Sequence, residues 1–334
     1  MSDTGVTWAI VLAAGDGRRL HSLTTNASGM AVPKQFCSLR GGYSLLRDAL
    51  FRAQAFAHAE HVCTIVAEQH RQWWRPALGS TSEANIIVQP RNCGTAHGIL
   101  LPLLHIMRRD PEARVVLLPS DHHVDDERAL AVAIRRSIHE LERTSRRIVL
   151  LGISPEQADP DLGYVVPGEQ VRHGLWTVAR FVEKPRSTRA QRLIESGALW
   201  NSFIMVGRAG ALLEVFQARI PETVENMREA MACDLTNSGD STAMADLYRR
   251  LTDMDFSKHV LEGAESMLRV MAVPRCGWSD LGTPTRLAET LKRLPRQGEL
   301  ADSPPNPLAG FLNLSQQHAA LEALRESAAP NELG

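Results

Sequence analysis

The sequence predicts an α/β protein: a mostly parallel sheet, helices on both of its faces, and a more mixed second half. Two observations carry this. Through the first half, short apolar and β-branched runs alternate with helical patterns of ten or more residues, the signature of βαβ units. Right-handed crossovers between parallel strands then distribute the helices over both faces. With 44% hydrophobic residues in 334, the chain can bury one large core, or a core plus a small appendage. The expected arrangement is Rossmann-like.

The strand signals of the first half are Trp8–Ala13, Val62–Ala67, Asn85–Val88, Arg114–Leu118 and Arg147–Gly152. Helical patterns lie between them at Ser44–His58, Gln69–Leu78, Thr95–Arg108 and Asp126–Arg143. In the second half, Leu175–Glu183, Ser202–Val206 and Met267–Val273 read as strands. Ala190–Glu195, Ala209–Arg219, Pro221–Ala232 and Ala243–Leu251 read as helices. No linker separates the halves, so residues 1–295 read as one domain. After Arg296, "QGELADSPPNPLAG" is rich in Pro and Gly and reads as a linker or loop. A short amphipathic helix, Leu314–Arg325, and a frayed end complete residues 296–334. That helix packs either on its own domain or on a partner, which leaves a homodimer open.

Lys and Arg number 37 against 38 Asp and Glu, so no strong nucleic-acid or anionic-membrane footprint is expected. No apolar stretch approaches the roughly 20 residues of a membrane span. "MSDTGVTW" lacks the basic and apolar regions of a signal peptide. The cysteines (Cys37, Cys63, Cys93, Cys233 and Cys276) are odd in number, scattered and without a CxxC pair. This argues against a disulfide framework and structural zinc, and for a cytoplasmic location.

Ligands of open parallel sheets bind beyond the carboxyl ends of the strands, so the segments after each strand hold the candidate chemistry. Gly15-Asp16-Gly17-Arg18-Arg19 follows the first strand. Glycines there let backbone N–H groups approach a phosphate, and arginines add charge; a tight turn with solvated arginines reads equally well. It is neither a Walker A loop nor the Rossmann glycine fingerprint. Pro33 fixes the backbone before Lys34, a point charge suited to phosphate oxygens; alone, it reads as a surface lysine. Thr95 would cap a helix whose N-terminus attracts negative charge, and Asn92 can bond a base edge. Asp121, after the fourth strand, stands where a carboxylate would hold Mg²⁺, with Asp280 as a second. His122 and His123 lack a third ligand spaced for zinc. Lys184 sits at a strand end before a proline, and Asn201 offers donor and acceptor. Trp200 and Trp278 read as packing residues.

Together these segments resemble the nucleotidyltransferases that join a sugar 1-phosphate to an NTP, and among them the mannose-1-phosphate guanylyltransferases. The matching pieces, in order, are "LAAGDGRRL", "PKQF", "QPRNCGTA", "LLPSDHHV", "GI" followed by "GY", "FVEKP", "WNSFIM", "DFSKHVLE" and "GWSDLGT", spread over about Trp8 to Leu291. The resemblance implies the nucleotidyltransferase (GT-A-like) fold and Mg²⁺-dependent transfer of a guanylyl group from GTP to mannose 1-phosphate, giving GDP-mannose and pyrophosphate. It implies that Ala13, Ala14, Gly15, Gly17, Arg18 and Arg19 wrap the triphosphate, with Ser120 also on the nucleotide. Lys34 would contact the phosphates. Arg91, Asn92, Gly94, Thr95 and Ala96 would lie against the guanine, and Asp121 and Asp280 would hold Mg²⁺. Gly163, Glu183, Lys184 and Asn201 would hold the sugar phosphate. Arg19, Lys34 and Lys184 would be the catalytic cations.

The chain departs from the family pattern in places. Arg18 stands where Thr or Ser is usual, and Ala14 where Gly is. The segment between Leu20 and Pro33 is longer and lacks a Trp-Pro. Cys93 and Phe203 are unusual, and "WSDLGTP" replaces "WSDVGSW". No second enzymatic domain and no β-helical tail is read. Two alternatives stand beside the leading one: the same chemistry with another NTP or sugar phosphate, and a catalytically silent nucleotide-sugar-binding regulator. The presence of Arg19, Lys34, Asp121, Lys184 and Asp280 together speaks against silence.

Overall fold

A computed structural model describes residues 5–236, 243–294, 313–318 and 322. Its strands are β1 (Thr7–Leu12), β2 (Val62–Ala67), β3 (Ile86–Gln89), β4 (Arg114–Pro119), β5 (Ile148–Ile153), β6 (Tyr164–Arg172), β7 (Leu175–Val182), β8 (Leu199–Arg208) and β9 (Leu268–Ala272). They form one sheet in the order β3-β2-β1-β4-β8-β5-β9-β7-β6. The first four strands pair in parallel. From β8 onward the sheet is mixed: β8 runs antiparallel to β4 and β5, whereas β5 and β9 are parallel.

The helices are α1 (His21–Thr24), α2 (Leu45–Gln54), α3 (Arg71–Ala77), α4 (Thr95–Arg109), α5 (Glu127–Glu140), α6 (Ser187–Glu195), α7 (Ala209–Arg219), α8 (Pro221–Thr236), α9 (Ala243–Arg250) and α10 (Pro284–Arg293). They cover both faces because the strands are apolar on both. In β1, Ala9 and Val11 face one core while Trp8 and Ile10 face the other; in β4, Val116 and Leu118 oppose Val115 and Leu117. Strand side chains alternate with period two, so an unbroken apolar run feeds two cores. Helices α2, α5, α6 and α10 cover the first core, and α4, α7, α8 and α9 the second. Asp126 caps α5 by accepting from the amides of Arg128 and Ala129, and Thr283 caps α10, with Pro284 opening that helix.

Strand β6 is not among the sequence-read strands. Its Pro167-Gly168 interrupts the alternation, its pairing with β7 shifts register repeatedly, and its residues beyond Val166 turn toward solvent. Proline is tolerated there because the strand lies at a sheet edge. The linker read at 297–310 lies outside the described residues. Of the last helix, Leu314 is buried, and the amides of Leu314 and Ser315 donate to the carbonyls of Ser38 and Leu39. Its described start therefore packs on its own chain. The cysteines form no disulfide. Among the described residues, no helix is long and apolar enough to cross a membrane.

Candidate active site

A cavity of about 320 Å³ opens beyond the carboxyl ends of β1, β3 and β4. Its wall continues through Gly163 ahead of β6, Glu183 and Lys184 after β7, Asn201 and Phe203 in β8, and Trp278 and Asp280 after β9. Residues far apart in sequence meet here because the parallel strands all end on one edge.

The loop after β1 is held by two devices. Gly17 adopts φ +67°, and a Cβ there would crowd the Lys34 amide at 3.2 Å. Gln35, almost fully buried, donates its side-chain amide to the carbonyls of Ala13 and Gly15, at 2.9 Å each. Ala13 and Gly17 thus shape the loop from behind, while Ala14, Gly15 and Arg19 face the cavity. Arg19 lies 3.5 Å from Asp161. Arg18 does not face the cavity: its side chain is 81% exposed and folds back onto Asp16 of its own loop. The expected contact of Arg18 with the triphosphate is not formed by this geometry.

Lys34 is 4% exposed and does not line the cavity. Its ammonium lies 3.0 Å from Asp121 Oδ2 and donates to the carbonyls of Asp280 at 2.6 Å and Leu281 at 3.2 Å. An ammonium has three donors, and all three are used. Lys34 thus secures Asp121 rather than reaching toward a phosphate. Burial alone would raise the Asp121 carboxyl, but Lys34 and His122 outweigh it and hold it below the usual range. Ser120 lines the cavity and donates to the Leu12 carbonyl, which fastens the end of β4 to β1.

The segment after β3 is anchored to residues 248–256. Gly94, the N-cap of α4, has φ +88°, and a Cβ there would collide with the Met254 backbone. The Ala96 amide donates to Met254 O, and Thr95 Oγ1 accepts from the Phe256 amide. Ala96 itself is fully buried in the core behind the wall, so it supports the site without facing it. Arg91 is not free for a base: its guanidinium donates to the carbonyls of Tyr248 and Leu251, outside the cavity. Cys93 is a buried packing residue with its thiol toward Tyr248 O. Asn92, Gly94, Thr95 and Gly98 put the N-terminus of α4 on the cavity wall, where anionic groups are stabilised. Beside them, fully buried Gln89 leaves its side-chain nitrogen without a partner. Gln89 opens the segment "QPRNCGTA", but the sequence reading assigns it no role; its place at the end of β3 is what brings it to the cavity.

On the opposite wall, Lys184 bridges Glu183 at 3.0 Å and Asp255 at 3.5 Å. Burial raises the Glu183 carboxyl; Lys184 opposes the rise and Asp255 adds to it, and the net shift is upward. Gly163 leaves room for it, since a Cβ there would lie 2.6 Å from Glu183 Oε2 and displace that carboxylate. Asn201 accepts the Phe203 amide, and the Asn201 amide donates to Gly163 O. Asp161 and Asp255 complete this acidic side; the sequence reading singles out neither, although Asp255 opens "DFSKHVLE".

The two residues expected to hold Mg²⁺ differ in fit. A bridge between His123 and Ser279 draws their segments together. Lys34 occupies Oδ2 of Asp121, while Oδ1 stands 3.6 Å from His122 on a partly exposed side chain facing the cavity. That fits Mg²⁺, which takes one or two carboxylates and fills its remaining positions with phosphate oxygens and water. Asp280 fits poorly. Arg286 Nε lies 2.6 Å from its Oδ1 and Arg286 Nη2 donates to its Oδ2 at 3.0 Å, while the Gly282 amide donates to Oδ1. Among the described residues, no group of three or more His, Cys, Asp or Glu side chains is gathered for a metal. His122, pushed down to about 4 by burial, is neutral and packs edge-on against Trp278.

Residues 8–297 match the family model described as nucleotidyl transferase. The chain is 30% identical over 293 residues to the mannose-1-phosphate guanylyltransferase of Escherichia coli (strain K12), covering 84% of this chain and 59% of that protein. It is 26% identical to the alginate biosynthesis protein AlgA of Pseudomonas syringae pv. tomato, over 84% of this chain and 57% of that protein. It therefore spans about three fifths of the length of these curated relatives. Among solved structures, one titled mannose-1-phosphate geranyltransferase, from Thermus thermophilus, superposes with a TM-score of 0.73 at 25% identity, over 87% of this chain and 81% of that one. The strand-end cavity and the match over most of the chain lead to one conclusion: this protein belongs to the nucleotidyl transferase family.

Proposed function

We propose that the protein transfers a guanylyl group from GTP to mannose 1-phosphate, with Mg²⁺, releasing pyrophosphate. The observation that carries the reading is the cavity itself, which faces a glycine loop and helix N-terminus on one side and Glu183, Lys184 and Asn201 on the other. The names of the relatives support the same substrates. The unpartnered nitrogen of Gln89 supports a base with a carbonyl on its edge, as guanine has at O6.

In this reading a phosphate oxygen of the sugar phosphate attacks the α-phosphorus in line with departing pyrophosphate. The nucleophile is already anionic, so no side chain need act as general base. The protein's work is alignment and charge neutralisation. Backbone amides of the β1 loop and the start of α4 orient the triphosphate, and Arg19 leaves Asp161 to neutralise it. Lys184 orients the attacking phosphate, and Glu183 and Asn201 take sugar hydroxyls. Asp121, fixed by Lys34, would hold Mg²⁺, which supplies Lewis-acid neutralisation of phosphate oxygens.

The test is pyrophosphate release with five NTPs crossed against mannose 1-phosphate, glucose 1-phosphate and other sugar phosphates, with Asp121→Asn as blank. Release confined to GTP with mannose 1-phosphate is expected. Release with another pair refutes the substrates and keeps the reaction. No release from any pair, with a nucleotide sugar still bound, turns the protein into a regulatory subunit.

A further inference from the structure

Behind the cavity, Arg286 of α10 joins two carboxylates. Its Nη1 donates to Asp159, and its Nε and Nη2 face both oxygens of Asp280. All three side chains are about nine-tenths buried. Gly282 keeps the pair in contact, since a Cβ there would collide with Asp280 Oδ2 and Arg286 Nη2. The same position is 3.1 Å from Arg19 Nη2, so a second guanidinium stands close by. A metal ion approaching Asp280 would meet Arg286, buried and at short range, where like charges repel strongly, with the half-exposed Arg19 adding to the repulsion. Removing one partner from a buried ion pair is also costly, so Arg286 cannot leave Asp280 and Asp159 cheaply.

Resting on the function proposed above, we infer that Arg286 stands in at Asp280 for the metal contact, so that the protein holds its divalent cation through Asp121 alone. Asp280 then acts as a positioning residue. Its carboxylate is locked by Arg286 and the Gly282 amide, and its carbonyl receives Lys34, which in turn holds Asp121. The following residue, Leu281, has φ +49° and also gives its carbonyl to Lys34. A left-handed leucine is costly and persists where surrounding contacts enforce it. The order of control runs from Arg286 through the turn at 280–282 to Lys34, and ends on Asp121.

The test uses the full chain with Mn²⁺ and GTP, reading Mn²⁺ in the ternary complex by water proton relaxation. Asp121→Asn is expected to weaken Mn²⁺ by roughly thirtyfold or more, on the order of a lost charged contact. Asp280→Asn is expected to change it less than about threefold, while lowering the rate of pyrophosphate release through the displaced Lys34. Arg286→Met frees Asp280 and tightens Mn²⁺ roughly tenfold, a gain that Asp280→Asn on that background removes. Equal weakening by Asp121→Asn and Asp280→Asn in the otherwise native chain overturns the inference and leaves the proposed reaction standing. A native chain that binds no Mn²⁺ with GTP removes both. Should Arg286→Met not fold, the two aspartate variants decide alone.

Discussion

The two halves of the sheet build their sides of one cavity by different means. From β1 to β4 the strands are parallel and regular, and what they present is largely backbone: the loop at Gly15–Gly17 and the start of α4, whose N-cap Gly94 carries no side-chain cap. From β5 onward the β5–β8 and β6–β7 pairings carry irregularities, and what reaches the cavity is charged side chains held in ion pairs, Glu183 with Lys184 and Asp255. The non-glycine residues with positive φ among the described residues, Lys184, Phe203 and Leu281, all belong to the second half and line or adjoin the cavity. Phosphates look alike in any nucleotide, so amides on a regular frame suffice for them. A sugar is distinguished by its hydroxyls, and aiming side chains at those demands irregular backbone.

Asp121 lies on the seam between the halves, and its loss is expected to be the largest effect. Asp121→Asn should lower pyrophosphate release by roughly 10³-fold, with thermal unfolding showing a folded protein. A loss below about tenfold would mean that this seam is not where charge is neutralised. Next come the glycines of the backbone side. Gly94→Ala forces a methyl against the Met254 carbonyl at φ +88°, and should cost about 2–3 kcal/mol in urea unfolding. Gly15 has open space where its Cβ would be, so Gly15→Ala should keep stability within about 0.5 kcal/mol. Its effect should appear in KM for the nucleotide. Similar stability losses at both positions would erase the distinction between a glycine needed by the fold and one facing the ligand.

The same contrast explains what is readable in advance. The parallel strands are legible because both faces are apolar, and Val62–Ala67 is read from the sequence with the bounds it has in the structure. Asp121, Lys184 and Asn201 stand out because they end strands or sit in distinctive motifs. What is not legible depends on partners remote in sequence or on the fold of a loop. Arg18 and Arg91 look like ligand arginines until Asp16 and the carbonyls of Tyr248 and Leu251 claim them. Asp280 reads as a metal ligand until α10 brings Arg286 against it. Strand β6 is hidden by Pro167 and by having little to bury.

The charged side of the cavity should reveal itself in pH dependence. The Glu183 carboxyl is raised in the folded protein, so the folded state keeps its proton where the unfolded chain has lost it. The resulting stability is present at acid pH and drains away as pH rises from the ordinary glutamate range through the Glu183 value. Glu183→Gln should remove that contribution from the slope of the urea midpoints and make the protein more stable than the native chain at alkaline pH. The same variant should raise KM for the sugar phosphate and leave KM for the nucleotide unchanged. Because His122 and other buried histidines push the native curve the other way over part of this range, the difference between the native chain and Glu183→Gln is what reports on Glu183, and a difference that does not change with pH would contradict the burial of this carboxylate.

The smallest expected effect tests whether irregularity on this side serves the ligand or the core. Phe203 holds φ +60°, a conformation that costs a non-glycine residue about 1–2 kcal/mol. Its ring lines the cavity, half-buried, with an edge contact to Phe256 at 6.2 Å between centroids. Phe203→Gly gives back the strain and loses about half the burial of a phenyl group, roughly 1 kcal/mol. The two nearly cancel, so the melting temperature should move by less than about 4 °C. The freed volume lies on the wall with Glu183 and Asn201. It should therefore shift kcat/KM toward bulkier sugar phosphates by about tenfold relative to mannose 1-phosphate. A large drop in melting temperature with unchanged selectivity would make the ring a core residue, and its strain a cost of packing rather than of recognition.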